Sequence, residues 1–236
     1  MFINTTGIVL REVAYKDFSK ILTVLTSSEG KLTISAHGAY RKNSKLAAVT
    51  GLLVFSEMTL MRKKDRWTMT EARSVEQFLG LRDDLPLLSL GSYIAKLTEA
   101  VADEDSPNPE LLPLCLNALY ALSEKIKTPA FVKPAFELRL MVISGFEPVL
   151  KQKGGDGRDS IVQGYETAAS FEDGVIALSA GAFNAAEYII NCDAKRLFSF
   201  SLSAEALREL SSVTESYLLA HLDRTFRTLD YYKNLI

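Results

Sequence analysis

Cysteine and histidine are nearly missing from this sequence, with two of each in 236 residues. Cys115 and Cys192 stand far apart with no C-x-x-C partner, which excludes a disulfide framework and a four-thiolate zinc site and suits a reducing compartment. Long apolar runs are missing too. No stretch approaches the roughly 18 apolar residues of a membrane span. The start MFINTTGIVLRE has no basic segment ahead of a long apolar one, so a cytoplasmic protein without a membrane partner is expected.

The motifs of common enzymes are also lacking: there is no G-x-S-x-G, no G-x-x-x-x-G-K-[ST] and no H-E-x-x-H. The nearest glycine motif, GGDG at 154–157, follows a loop and leads into Arg158 and Asp159, so it reads as a turn rather than a phosphate cradle. His221, beside Asp223 and Arg224 in a helical stretch, reads as structural, while His37 is either a polar strand end or a phosphate contact. Asp103, Glu104 and Asp105 read as a solvated linker. No catalytic residue, and no enzyme, is expected.

What is present is ordinary for a globular chain: 47% apolar and 24% charged residues. The net charge of -2 is uneven. Residues 1–80 hold 12 Lys/Arg against 7 Asp/Glu, residues 81–150 hold 6 against 10, and residues 151–236 hold 9 against 12. A cationic face is thus compatible with an acidic protein.

Residues 5–80 read as strands. In KLTISA, Leu32, Ile34 and Ala36 alternate with Lys31, Thr33 and Ser35, the period of a sheet with one buried face. KILTVLT before it, joined through SSEG, completes a hairpin, and GLLVFSEMTLM and RWTMTEA flank the turn RKKD. With TGIVLRE these make five strands. A closed barrel of the OB type removes the edges of so short a sheet, although the pattern also allows an SH3-like barrel.

From residue 85 the period becomes helical. Leu87, Leu90, Ile94, Leu97 and Val101 mark a first helix; Leu112, Cys115, Leu119, Leu122 and Ile126 mark a second, with Asn108 as N-cap. A third runs from about Ala130 to Ser144, with Pro134 near its first turn and Gly145 at its end. AGAFNAAEYIIN is a further helix, and a last one starts at Ser203 with the stripe Leu207, Leu210, Val213, Tyr217 and Leu218. The fold class is α+β: a five-stranded barrel domain over 1–80, then a helical domain over 81–236.

Two basic loops stand out. HGAYRKNSK (37–45) carries Arg41, Lys42 and Lys45 between the third and fourth strands, and the RKKD turn carries Arg62, Lys63, Lys64 and Arg66; Lys16 and Lys20 flank the first interstrand turn. Lys and Arg on a barrel rim can meet closely spaced phosphates and release their counterions. Tyr15, Tyr40 and Trp67 adjoin these groups as stacking platforms for bases, or, for Trp67, as core. The alternative for each loop is a solvated turn.

Four segments carry a resemblance. TTGIVLREVAYKDFSKILTVLTSSEGKLTISAHGAYRKNSKLAAV, GLRDDLPLLSLGSYIAKLTE, FELRLMVISGFEPVL and YLLAHLDRTFRTLDYY resemble, in order and spacing over nearly the whole chain, the bacterial RecO family of DNA repair and recombination proteins. The resemblance implies an OB-fold followed by a helical domain. It also implies a recombination mediator that binds single- and double-stranded DNA, anneals complementary strands and works with RecR and the single-strand binding protein, helping to load RecA. Such a protein is nucleoid-associated in the cytoplasm and acts without turnover. By position, the family's basic stretch after the third strand corresponds to Arg41, Lys42 and Lys45.

Many family members carry a four-cysteine zinc motif after GFEP, where this chain has KQKGGDGRDS and YETAASFEDG. Without a thiolate the resemblance implies a degenerate, metal-free insertion over 151–180 and no cofactor. A different function remains open: a non-catalytic adaptor with little DNA affinity, whose helical bundle takes the acidic, apolar-ended tail of a single-strand binding protein through bases such as Lys133 and Arg139.

Overall fold

The computed structural model describes residues 1–151, 159–162 and 175–236. Strands β1 (Phe2–Tyr15), β2 (Ser19–Thr26), β3 (Gly30–Ala36), β4 (Phe55–Lys63) and β5 (Arg66–Glu76) close into a barrel in the order β1-β2-β3-β5-β4. Every neighbouring pair is antiparallel except β3 and β5, which run parallel with Ile34 opposite Trp67 and Ser35 opposite Thr68. This is the OB-type barrel expected from the alternating pattern.

β1 is longer than the pattern suggested. Its residues 2–8 pair with β4 and its residues 7–15 with β2, and a bulge between Val9 and Arg11 lets the strand turn from one partner to the other. Inward-facing Val9, Leu22, Val24, Leu32, Ile34, Met58, Leu60, Trp67 and Met69 fill the barrel. Trp67 is therefore core, only 5% exposed, and not a platform for bases.

The helices are α1 (Leu85–Val101), α2 (Leu111–Ser123), α3 (Pro129–Ile143), α4 (Ala180–Asn191), α5 (Ala204–Leu222) and α6 (Arg227–Lys233). Asp84 caps α1, its carboxylate accepting from Leu87 N at 3.2 Å, and Ser179 and Ser203 cap α4 and α5 in the same way. Asn108 does not cap α2 itself. It accepts from Glu110 N at 3.0 Å in the turn ahead of the helix, and Ile126 lies beyond the helix end, exposed. Pro134 falls inside α3, past its first turn.

The chain divides into two compact units, Met1–Glu124 with Phe226–Ile236, and Lys125–Thr225. Residue 80 thus marks where strands give way to helices, but α1, α2 and α6 belong to the same unit as the barrel. Within it α1 packs on β1 and α6 packs on α1, with Phe226 meeting Tyr93 edge-on at 5.9 Å. The segment after α1 closes on the start of β3: Lys31 N donates to Asp103 O at 3.0 Å. Gly30 has φ +68, and a Cβ there would stand 2.4 Å from Ser106 O, so only glycine admits this approach.

In the Lys125–Thr225 unit α3 packs against α4 and α5. Strands β6 (Val149–Lys151), β7 (Asp159–Val162) and β8 (Val175–Leu178) pair antiparallel in that order. The rest of the expected insertion, residues 152–158 with GGDG and residues 163–174, lies outside the described residues. Among the described residues no helix is long and apolar enough to cross a membrane.

Candidate nucleic-acid interface

The residues read as phosphate contacts sort into three places. Arg41, Lys42 and Lys45 are exposed on the loop after β3, where Gly38 and Asn43 take positive φ and fold it back on itself. This loop is bonded to the β1–β2 turn through Tyr40 N, which donates to Phe18 O at 3.2 Å. Lys16, exposed with φ 54, lies in that turn, and Tyr15 ends β1 just ahead of it. Phe18 lies there too, an exposed aromatic that charge and spacing alone do not single out although YKDFSK sets it between two lysines.

Arg62, Lys63, Lys64 and Arg66 are exposed on the β4–β5 hairpin, with Lys64 at φ 55 in its turn. This hairpin sits at the other end of β1: Arg62 N donates to Met1 O at 2.8 Å. The two basic loops therefore do not share a rim. The parallel β3–β5 pair nevertheless keeps them close, because Arg66 immediately precedes Trp67, Trp67 is opposite Ile34, and His37 follows three residues later. At ~3.3 Å per residue the hairpin and the loop begin about 13 Å apart, close to four nucleotides of a helical strand at ~3.4 Å each. Ser35 and Thr68, on the outward parity of that pair, are the polar ground between them.

Lys20 belongs to neither group, which corrects its assignment as a phosphate contact. It is 7% exposed, and its ammonium is ion-paired with Glu12, donates to Thr50 O at 3.2 Å and lies 4.8 Å from the Tyr40 ring centroid. The period of two already puts Lys20 on the face of Leu22 and Val24, the barrel side of β2.

Lys133 and Arg139, read as partner contacts, are corrected in the same sense. Lys133 is 5% exposed and bonds Glu137 and Glu215, each at 2.8 Å, while Thr214 Oγ1 donates to Glu137 at 3.0 Å. Arg139 donates to Ile190 O at 2.6 Å, holding the last turn of α4. Both side chains are engaged within their own unit.

His221 and Cys115 serve the fold. His221 sits against Tyr217 with ring centroids 4.0 Å apart, and its Nδ1 lies 2.9 Å from Tyr217 O. His37 is exposed with Nδ1 3.5 Å from Ser19 Oγ, beside the basic loop. Burial pushes the Cys115 thiol up to about 12, with a hydrogen bond to Thr98 opposing it, so this cysteine is an inert core residue.

Comparison with known proteins follows the same division. The model described as Recombination protein O N terminal matches residues 1–78, and the one described as Recombination protein O C terminal matches residues 82–230. The DNA repair protein RecO of Acetivibrio thermocellus is 32% identical over 244 residues, covering 99% of this chain and 97% of that protein. Those of Caldicellulosiruptor bescii and Symbiobacterium thermophilum are 29% and 28% identical, again covering 98% of this chain. An OB-type barrel with exposed basic loops, followed by helices that match along their length, therefore has one family behind it: the chain belongs to the RecO family of DNA repair proteins.

Proposed function

We propose that this chain is a DNA-binding recombination mediator that anneals complementary strands and helps load the recombinase RecA onto single-stranded DNA coated by single-strand binding protein. The observation that carries the reading is the pair of exposed basic segments, 41–45 and 62–66, on a loop and a hairpin that begin about 13 Å apart across the β3–β5 pair. Phosphates held there lose part of their mutual repulsion, so two complementary strands approach and pair without any covalent step. Double-stranded DNA, RecR and the acidic C-terminal tail of the single-strand binding protein are the further partners of this reading. The surfaces that take the protein partners lie elsewhere than Lys133 and Arg139.

Zinc has no place in it. Residues 151–180 contain neither cysteine nor histidine, so the thiolate and imidazole donors of a structural zinc site are lacking, and metal analysis of the purified protein is expected to find no stoichiometric zinc.

The test is a salt titration of binding to an oligothymidylate, followed by strand annealing with and without the cognate single-strand binding protein. Replacing Arg41, Lys42 and Lys45 together by alanine is expected to reduce the slope of log affinity against log salt by about 2, at ~0.7 per single-strand phosphate released. Annealing is expected to fall with it. Wild-type affinity that does not change with salt would overturn the phosphate contacts. The adaptor function has lost the two residues that motivated it.

A further inference from the structure

The two basic segments differ in what stands beside them. At the β4–β5 hairpin Trp67 is buried in the barrel with Arg62 lying over it at 5.4 Å, and a single exposed ring, Phe2, stands opposite Met61. At the other end of β1, Tyr15, Phe18 and Tyr40 all keep about half their surface in water, Phe18 at 52% and Tyr40 at 51%. A single exposed ring needs no explanation. Three rings on one turn and the loop bonded to it, interleaved with Lys16, Arg41, Lys42 and Lys45, do.

Each ring also has a cation. Lys16 Nζ is 5.2 Å from the Tyr15 centroid, the Arg41 guanidinium 5.9 Å from that of Phe18, and Lys20 Nζ 4.8 Å from that of Tyr40. Lys20 is the informative member. Its ammonium is buried and fixed by Glu12 and Thr50 O, so the Tyr40 face it covers is the face turned to the barrel. The exposed half of the ring is then the outer face. The Tyr40 N to Phe18 O bond ties this platform to Phe18, where Arg41 adds a second planar surface.

We infer that Phe18 and Tyr40 form a stacking site for unpaired nucleobases, which makes this end of the barrel a reader of single strands. The inference rests on the DNA-binding function proposed above and deepens it by assigning a structure preference. Bases stack on aromatic rings and on guanidinium planes whatever their identity, since each has a π face. In a duplex those faces are occupied by the neighbouring base pairs, so the site engages only where bases are unpaired. Lys20 acts here as a positioning residue. It backs Tyr40 and holds the loop after β3 through Thr50, and no phosphate reaches it.

The test compares the full-length chain with Phe18→Ala, Tyr40→Ala and Phe18→Trp on three probes: an oligothymidylate, an abasic oligodeoxyribonucleotide of equal length, and a duplex. Both alanine variants are expected to bind the oligothymidylate roughly tenfold more weakly, with binding to the abasic strand and the duplex and the salt slope unchanged. Phe18→Trp restores affinity. Both rings are about half exposed, so the variants are expected to fold, and thermal melting of each confirms that the comparison is between folded proteins. Equal losses on the oligothymidylate and the abasic strand, or no loss on either, would overturn the stacking site while leaving phosphate binding intact. A wild-type chain that binds none of the three probes would overturn the DNA-binding function itself. Should Phe18→Ala abolish binding to anionic phospholipid vesicles while oligothymidylate binding persists, the rings are a membrane contact and the inference also fails.

Discussion

The basic turns of the barrel and the two inward cations of α3, Lys133 and Arg139, are put to opposite uses. On the barrel, Arg41, Lys42, Lys45, Arg62, Lys63, Lys64 and Arg66 keep their charged ends in water on turns that several positive-φ residues allow. In the other unit Lys133 lies among buried residues of α3 with two carboxylates on its ammonium, and Arg139 holds the end of α4. An exposed cation adds little to stability and remains available to a polyanion. A buried one stabilises its own fold only while its partners are present, and it has nothing left to offer a ligand.

The largest expected effect is at the buried end of this contrast. Lys133→Ala leaves Glu137, which is fully buried, with Thr214 but without its ammonium, and beside it Glu215. A loss of about 3–5 kcal/mol is expected in chemical denaturation of the full chain. The salt slope of DNA binding, measured under conditions where the variant is folded, is expected to stay at the wild-type value. A fully stable Lys133→Ala variant with weakened binding to a protein partner would break the comparison and return Lys133 to the surface.

Lys20 sharpens the contrast because it lies in the basic barrel yet behaves as Lys133 does. Lys20→Ala removes the partner of Glu12 and a donor to Thr50 O, for an expected cost of about 1–3 kcal/mol. It also loosens Tyr40, so affinity for an oligothymidylate falls while the salt slope holds. A true phosphate contact would give the reverse: unchanged stability and a slope lower by about 0.7.

These cases show what was legible in the sequence and what was not. The five strands, the barrel and the stripes of α1, α2 and α5 follow from periods of two and of 3.6, because each has a face to bury, while α3, buried on nearly every side, is marked by Pro134 and Gly145 instead. α6, only seven residues with Leu229 and Tyr232 buried, is too short to show a stripe and is held by packing on α1. The extra length of β1 is set by its bulge and by two different partners, which no local pattern reports. For the site, charge counting located the exposed turns, since runs such as RKK within polar segments have no apolar face to join. It failed for Lys20 and Lys133, where the signals were present but of another kind. Lys20 shares parity with Leu22 and Val24, and Lys133 has Glu137 one turn on within the apolar stretch AFVKPAFELRLMVI. Phe18 escaped because whether an aromatic in a turn faces water is decided by the loop that comes to lie against it.

The smallest expected effect lies between the two extremes. Arg11 of β1 is nearly half exposed, and its Nε donates to Glu99 of α1 at 2.7 Å while Lys96 reaches the other oxygen of the same carboxylate at 2.8 Å. Burial alone would raise the Glu99 carboxyl, but the hydrogen bonds and positive charges of Lys96 and Arg11 outweigh it and hold the group below its ordinary value of 4.5. A carboxyl with a folded-state pKa below the unfolded one stabilises the fold fully above about pH 4.5, and that stabilisation is lost as pH falls through the folded value. Glu99→Gln is therefore expected to cost about 0.5–1 kcal/mol at neutral pH, the scale of a solvent-screened pair. The difference from wild type should shrink on acidification and be smaller in high salt. Denaturation curves at several pH values measure it directly. A difference that grew as the pH fell would mean that the two cations do not hold the carboxylate, and that Arg11 belongs with the free basic residues of the barrel rather than with the joint between β1 and α1.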